Sequence, residues 1–395
     1  ALTGSFVQVG GLGSGGPVGG GVPTARAALS GFGGGARRLY VHVPFCFHKC
    51  HYCDFYSFVD SRDRQGVFTD RLIEELSALA EHAGVLRSVF VGGGTPSLLA
   101  VEHWERLLAG LWGVFERGAD LEFTVECNPE TVTGELMDVL AAGGVNRVSV
   151  GAQSFDRAHL ETLERWHEPL NVRRALEFAR EAGIGRRSVD LIYGVPGQSL
   201  EEWGADLSIV ERFAEEGLVD HASCYALTYE PNTAMTKRLA RGEFEATDED
   251  LEVAMYHLTV ERLGSVGLGR YEVSNFAVDG SACDHNLGYW RGDDWLAAGP
   301  SASGHAGGHR WKNVPRLGDW LEGVAAGAGY SPIVDYEGPD ARRALAERLM
   351  MGLRLSEGVD RASVVEAAGS FGRGEALERG AWAMADLGRL TDADG

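Results

Sequence analysis

Val43-Pro44-Phe45-Cys46-Phe47-His48-Lys49-Cys50-His51-Tyr52-Cys53 closes a short β-branched run and carries three cysteines spaced C-x3-C-x2-C. Three thiolates at the end of a strand can each hold one iron of a [4Fe–4S] cluster. The fourth iron then has no protein ligand, and a small molecule can chelate it. A competing use of the triplet is a Cys3His zinc site, with His48 or His51 as the fourth ligand. Zinc sites more often pair two C-x2-C knuckles, and no second knuckle occurs here. Cys127, Cys224 and Cys283 stand alone and read as small core residues.

Composition narrows the function classes. The chain has 395 residues, 44% of them hydrophobic, enough for one barrel with a small appendage. No apolar run approaches the ~20 residues of a membrane span. The net charge of −21 argues against nucleic acid, because phosphate binding needs clustered Lys and Arg. Six cysteines, three of them in one triplet, do not make a disulfide framework, and a reducing cytoplasm fits better. Residues 1–36 are glycine-dominated, lack any acidic residue and include Arg26, so they read as disordered rather than as a transit peptide.

From residue 37 on, apolar β-branched runs alternate with helical patterns. Strands are expected at Leu39–Pro44, Ser88–Gly92, Leu121–Glu126, Arg147–Gly151, Ser188–Tyr193 and His221–Thr228. Thr69–His82, Val101–Phe115, Val172–Ala182 and Glu201–Ala214 carry apolar residues at three- and four-residue steps, as helices do. Right-handed strand–helix crossovers of this kind build a parallel sheet, here expected to curl into an incomplete (βα)6 barrel. The alternative is an open doubly wound sheet.

Polar residues favour the barrel by falling at strand C-terminal ends, where βα folds place their sites. The three cysteines follow the first strand and Gly92-Gly93-Gly94-Thr95-Pro96-Ser97 the second. Glu126-Cys127-Asn128-Pro129-Glu130 ends the third and Gly151-Ala152-Gln153-Ser154-Phe155 the fourth. The fifth carries Asp190-Leu191-Ile192-Tyr193-Gly194-Val195-Pro196-Gly197-Gln198. A triple glycine lets backbone approach a ligand closely. Glu126 can accept from an ammonium or a ribose hydroxyl, Gln153 and Asp190 can bond hydroxyls or an adenine edge, and Arg165 can fork onto a carboxylate.

Together these stretches resemble the branch of the radical S-adenosylmethionine (SAM) superfamily that holds the oxygen-independent coproporphyrinogen III oxidases and the HemW-type haem chaperones. The match runs from about Tyr40 to about Arg389 and includes the Leu163…Arg165…His167 stretch, Tyr271-Glu272-Val273-Ser274-Asn275-Phe276-Ala277 and His285-Asn286-Leu287-Gly288-Tyr289-Trp290. The resemblance implies that Cys46, Cys50 and Cys53 bind the [4Fe–4S] cluster, whose open iron takes the amino and carboxylate groups of SAM. It places Tyr40, Tyr52, Gly93, Gly94, Thr95, Glu126, Gln153, Arg165 and Asp190 around SAM, with one or two molecules both compatible.

Within that branch the oxidases carry another cysteine two residues after the third ligand, where this chain has Phe55. The chaperone-like members carry His-Asn-x-x-Tyr, here His285-Asn286-Leu287-Gly288-Tyr289, associated with haem handling. The oxidases also have a structured N-terminal extension, and this chain has glycine-rich sequence. The resemblance therefore implies a haem chaperone more than an enzyme, with haem near His285, Asn286 and Tyr289, and b-type cytochromes or related respiratory proteins as acceptors. A homodimer is compatible with it. An imidazole is a common haem ligand, but from residue types alone His285 reads as a buried, hydrogen-bonded histidine, and His305 and His309 are rival ligands. The competing function is radical oxidative decarboxylation of coproporphyrinogen III.

The expected domains are a disordered segment 1–36, a partial barrel 37–235, a barrel-completing region 236–338 with the histidine motif, and a C-terminal domain 339–395. Helices are expected at Arg342–Arg354, Ala362–Ala368 and Gly374–Leu387. Met350-Met351-Gly352-Leu353-Arg354 resembles the family's small winged-helix-like unit, whose wing strand would follow residue 391. The tail lacks a basic face, so a winged helix here does not mean DNA.

Overall fold

Alternation of β-branched runs with amphipathic stretches gives six main strands linked by helices in the computed structural model, which describes residues 23–386. The strands are β1 (Ala36–Val43), β2 (Ala83–Gly93), β3 (Arg117–Cys127), β4 (Arg147–Gln153), β5 (Arg186–Tyr193) and β6 (His221–Ala226). Each pairs in parallel with the next in chain order, with Val41 opposite Val91, Val91 opposite Val125 and Val148 opposite Arg187. Residues of β4 are buried on both faces, which is why it reads as a continuous short-side-chain and apolar run rather than an alternating one.

Helices α1 (Gln65–Leu79), α2 (Val101–Val114), α3 (Gly134–Ala142), α4 (Pro169–Glu181) and α5 (Leu200–Glu215) make the crossovers. Their starts are written locally. Thr133 caps α3 by accepting from the Leu136 amide, Pro169 opens α4, and Ser199 with Glu202 forms a capping box on α5. Trp104 on α2 and Trp203 on α5 are fully buried against the sheet. The Trp203 indole donates to Thr259 Oγ1 at 2.9 Å, which ties α5 to the next helix, α6 (Glu249–Ser265).

Later segments extend both edges. Beyond β7 (Gly269–Arg270), β8 (Asn275–Ala277) adds antiparallel beside β6 and carries β7 antiparallel on its other side, while β9 (Leu296–Ala298) adds parallel beside β1. The order is β9-β1-β2-β3-β4-β5-β6-β8-β7, and the two ends do not pair with each other. The result is the expected incomplete barrel. A small antiparallel sheet of Ser303–Ala306, His309–Asn313 and Ile333–Glu337 follows, then helices Ala341–Gly352, Arg361–Gly369 and Gly374–Asp386. The wing-strand expectation falls on residues 387–395, outside the described ones. Among the described residues no helix is long and apolar enough to cross a membrane.

Disorder through residue 36 does not hold for the end of that stretch. Ala25–Leu29 is a short helix with Ala25, Ala28 and Leu29 buried. Backbone bonds at 2.9 Å from the Ala25 amide to Ser331 and from the Ile333 amide to Pro23 pin it to the later sheet. Glycine content alone hid these few apolar side chains and their distant partners.

Glu75 on α1 holds the completing region to the barrel. Its carboxyl is 1% exposed and accepts from the Gly299 amide at 2.7 Å, Asn313 Nδ2 at 2.9 Å and Trp320 Nε1 at 3.2 Å. Burial pushes it up to about 8, against the opposing pull of those donors. A carboxyl raised in the folded state favours folding fully below its ordinary value of 4.5, and that contribution fades as pH rises through about 8. Urea unfolding of wild type and Glu75→Gln across this window should give curves that diverge by up to about 1.4 kcal/mol per pH unit, with the wild type losing stability. Parallel curves would mean that Glu75 ionises equally in both states.

Candidate functional site

The loop after β1 and the glycine run after β2 are locked together. The Gly94 amide donates to Val43 O and the Thr95 amide to Phe45 O, both at 2.7 Å. Phe45–Cys46 then pairs in parallel with Phe58–Val59, which closes the cysteine loop on itself. A Cβ at Gly94 would lie 2.6 Å from the Phe45 carbonyl, so the approach that positions the cysteines requires glycine there.

A cavity of about 260 Å³ opens between these loops at the C-terminal ends of the strands. Cys46, Cys50, Cys53, Tyr52, Gly93, Gly94, Thr95, Glu126, Gln153, Arg165 and Asp190 all line it. Tyr40 does not. Its ring lies in a separate buried cluster with Phe90, Trp295 and Tyr289, and its hydroxyl bonds His42 Nδ1 at 3.1 Å. Tyr40 sits in mid-strand on β1, too far down to reach the rim.

The donor set fits a cluster. All three thiols are half-buried and free, with Cys46 Sγ 3.4 Å from Thr95 Oγ1 and Cys50 Sγ accepting from Arg165 Nη1 at 3.8 Å. Burial raises the Cys46 and Cys53 thiols, Cys53 to about 12, so metal binding would have to displace their protons. Among the described residues no three Cys, His, Asp or Glu side chains surround a single-ion position. In a cubane each thiolate meets its own iron, so the thiols need not converge on one ion. The two histidines of the zinc alternative are turned elsewhere: His48 stacks on Trp166 at 4.1 Å, and His51 Nδ1 lies 3.2 Å from Arg238 Nη1.

The opposite wall carries hydrogen-bonding groups. Glu126 accepts from the Gly93 amide at 3.1 Å, and burial, reinforced by Asp190, pushes its carboxyl up to about 7. Such a group gains most from a cationic partner. Asp190 accepts from Ser149 Oγ at 2.8 and 2.9 Å. Gln153 has φ +63°, in the left-handed region, where the β4–β5 register shifts between Gly151 and Gln153. That strain turns its side chain to the rim. Arg165 is anchored by Nη2 on the Gly151 carbonyl at 3.0 Å.

The histidine motif lies elsewhere. Asp284–Arg291 is a helix whose first amides, Asp284 N and His285 N, donate to Glu122 of β3 at 2.8 and 2.9 Å. Arg38 of β1 clamps it through Asp284 at 2.6 Å and Asp293 at 2.7 Å, and a Cβ at Gly288 would overlap the guanidinium. His285 is 1% exposed, with Nδ1 2.8 Å from Ser88 Oγ and Nε2 2.9 Å from Tyr289 Oη. Burial, helped by Arg38, pushes its imidazole down to about 3. Ser88 lies five residues before Gly93 on β2, so His285 meets the barrel roughly 16 Å below the rim. Both ring nitrogens are engaged, and this conformation offers no lone pair to a metal. Each rival has one ring nitrogen bonded, His305 Nδ1 to Asp293 O at 3.2 Å and His309 Nδ1 to Tyr336 Oη at 2.7 Å.

A file of polar contacts nevertheless joins the two regions inside the barrel. Ser188 Oγ reaches Asp190 at 3.4 Å and His221 Nδ1 at 2.8 Å, His221 Nε2 reaches Tyr271 Oη at 3.0 Å, and Asn286 Nδ2 donates to Tyr271 at 3.4 Å. The reading of motifs missed Ser149 and Tyr225, which also line the cavity. The two-residue period of a strand points to Ser149, two positions before Gly151 on β4. Tyr225, next to the last residue of β6, carries no comparable signal.

The chain resembles known proteins along most of its length. A family model described as the radical SAM superfamily matches residues 40–231. A protein of Mycobacterium tuberculosis named heme chaperone HemW is 38% identical over 327 residues, 81% of this chain and 82% of that one. A Lactococcus lactis protein of the same name is 34% identical over 81% and 82% of the two chains. The solved coproporphyrinogen III oxidase HemN of Escherichia coli shares the fold, with a TM-score of 0.74 at 22% identity over 86% of this chain and 80% of that one. A cysteine loop locked to a glycine run on a partial barrel, together with this sustained identity, places the chain in the HemW family of the radical SAM superfamily.

Proposed function

We propose that this chain is a haem chaperone, which binds haem and hands it to haem-dependent respiratory proteins such as b-type cytochromes in the cytoplasm. The observation that carries this reading is identity of 34–38% with proteins named heme chaperones, over about four-fifths of each chain. Phe55 on the cavity wall supports it, since the oxidases of this branch carry a cysteine there. Cys46, Cys50 and Cys53 hold a [4Fe–4S] cluster, and SAM binds beside it. When bound, such a cluster supplies an open iron that chelates the amino and carboxylate groups of SAM and can deliver an electron to it.

The rest is the work of the chain's own groups. Glu126 accepts from the N–H groups of SAM's amino nitrogen, with the Gly93 and Gly94 backbone alongside. Gln153 and Asp190 accept from ribose hydroxyls, Arg165 faces the carboxylate, and Thr95 and Tyr52 close the wall. Occupancy of this site governs haem delivery or dimerisation.

Alanine at Cys46, Cys50 or Cys53 should abolish the visible charge-transfer absorption and iron content of the anaerobically reconstituted chain; retention in all three variants would remove the cluster assignment. Glu126→Gln should weaken SAM binding roughly tenfold or more by calorimetry on the reconstituted protein, because a charge-assisted hydrogen bond is lost. Unchanged affinity would place the amino group elsewhere. Haemin titration should saturate near one equivalent, and reduced protein with SAM and coproporphyrinogen III should yield no protoporphyrinogen. The opposite pair of results would make the chain an oxidase.

A further inference from the structure

His167 stands apart from the other histidines. It is 9% exposed, and among the described residues it is the histidine for which both ring nitrogens are buried with no hydrogen-bond partner. Buried polar groups are nearly always paired, so one left open calls for a missing ligand or a functional use. Its surroundings supply a use. His167 lines a second cavity of about 560 Å³, within the usual range for small-molecule and cofactor sites.

That cavity adjoins the cluster cavity, with Phe47, Arg165 and Trp166 lining both. Trp166 is 58% exposed, a large ring left to water at the mouth, and it stacks in parallel on His48. Phe47, Leu98 and Leu160 supply apolar wall, and Arg157 stands at the edge, paired with Glu168. Glu130, Glu161 and Glu168 also line the cavity beside Arg157 and Arg165, so it is not uniformly basic. Flat aromatic surface, an apolar wall, an arginine at the rim and a free imidazole together suit a planar metalloporphyrin with acidic substituents.

We propose that His167, rather than His285, is the axial ligand of haem iron, with the macrocycle against Trp166 and Phe47. This rests on the haem-chaperone reading and gives that reading its site. Ligation requires the imidazole to turn towards the cavity. No hydrogen bond restrains it, whereas His285 would surrender its bonds to Ser88 and Tyr289. Burial and the neighbouring Arg165 hold the His167 ring in its neutral form, down to about 3, so its lone pair is free of a proton at cellular pH. The iron would then sit on the rim beside the cysteine loop rather than deep against β2.

The test is haemin titration of the full-length, anaerobically reconstituted protein, followed in the Soret band and by resonance Raman spectroscopy of the iron's ligation. Wild type is compared with His167→Gly, His167→Gln and His285→Gly. The proposal expects both His167 variants to bind haemin roughly tenfold or more weakly and to lose the histidine–iron signature. Added imidazole should restore that signature in His167→Gly, a rescue that a merely structural role would not give. His285→Gly should keep it. If His167→Gly fails to fold, as judged by cluster absorption, His167→Gln decides alone. A wild type that saturates beside His167 variants of unchanged affinity and spectrum overturns this assignment and leaves the chaperone reading standing. A wild type that never saturates overturns both.

Discussion

Parallel pairing between the first two strands does not stop where the strands end. The bonds from Gly94 to Val43 and from Thr95 to Phe45 carry it onward, so the cysteine loop and the glycine run leave the sheet as one unit. Everything at the rim is referenced to that junction. Cys46 reaches Thr95, Glu126 on the neighbouring strand meets the Gly93 amide, and the cavity forms between them. The loop that carries the three thiols also anchors itself through Phe45, which is buried against Phe58 and Phe68. The two backbone bonds to the glycine run then fix its register on the next crossover.

A second polar centre sits at the opposite end of the sheet. Arg38 takes up the Asp284 and Asp293 carboxylates, and Glu122, itself paired with Arg186, takes up the Asp284 and His285 amides, which lets a polar helix start against buried strands. Buried charges of this kind are tolerable only when each has its partner. Between the two ends a polar chain runs from Ser149 through Asp190, Ser188 and His221 to Tyr271, beside the buried aromatic cluster of Tyr40, Phe90, Trp295 and Tyr289. Such a column can report a change at one end to the other only if it has two arrangements, and its bonds at 3.4 Å mark where it would slip.

Much of this was legible from residue patterns, for identifiable reasons. Strand ends are marked by glycine, proline or cysteine, so the C-terminal limits of β1 to β5 fall within two residues of expectation, and the rim residues come with them. Strand starts are less visible. β2 begins at Ala83 rather than Ser88 because Gly84 and Arg87 give no apolar signal. Tyr40 lies outside the cavity lining, because a family motif carries no depth along a strand. The engagement of His285 was foreseeable in kind, as a buried hydrogen-bonded histidine, but its partner Ser88 lies 197 positions away and no local pattern announces such a pair. The ordering of residues 25–29 was hidden in the same way, since its partners are near residue 331.

The motif His-Asn-x-x-Tyr treats position 288 as free, yet the Arg38 side chain occupies the space a methyl group would need there. Replacement of Gly288 therefore asks for a smaller residue at 38, and that in turn strands Asp284 and Asp293 without their cation. Drift at any one of these four positions should be halted by the other three. Lineages that vary Gly288 should have changed the whole quartet, an inherited set spread across 256 positions of chain that a linear pattern does not display.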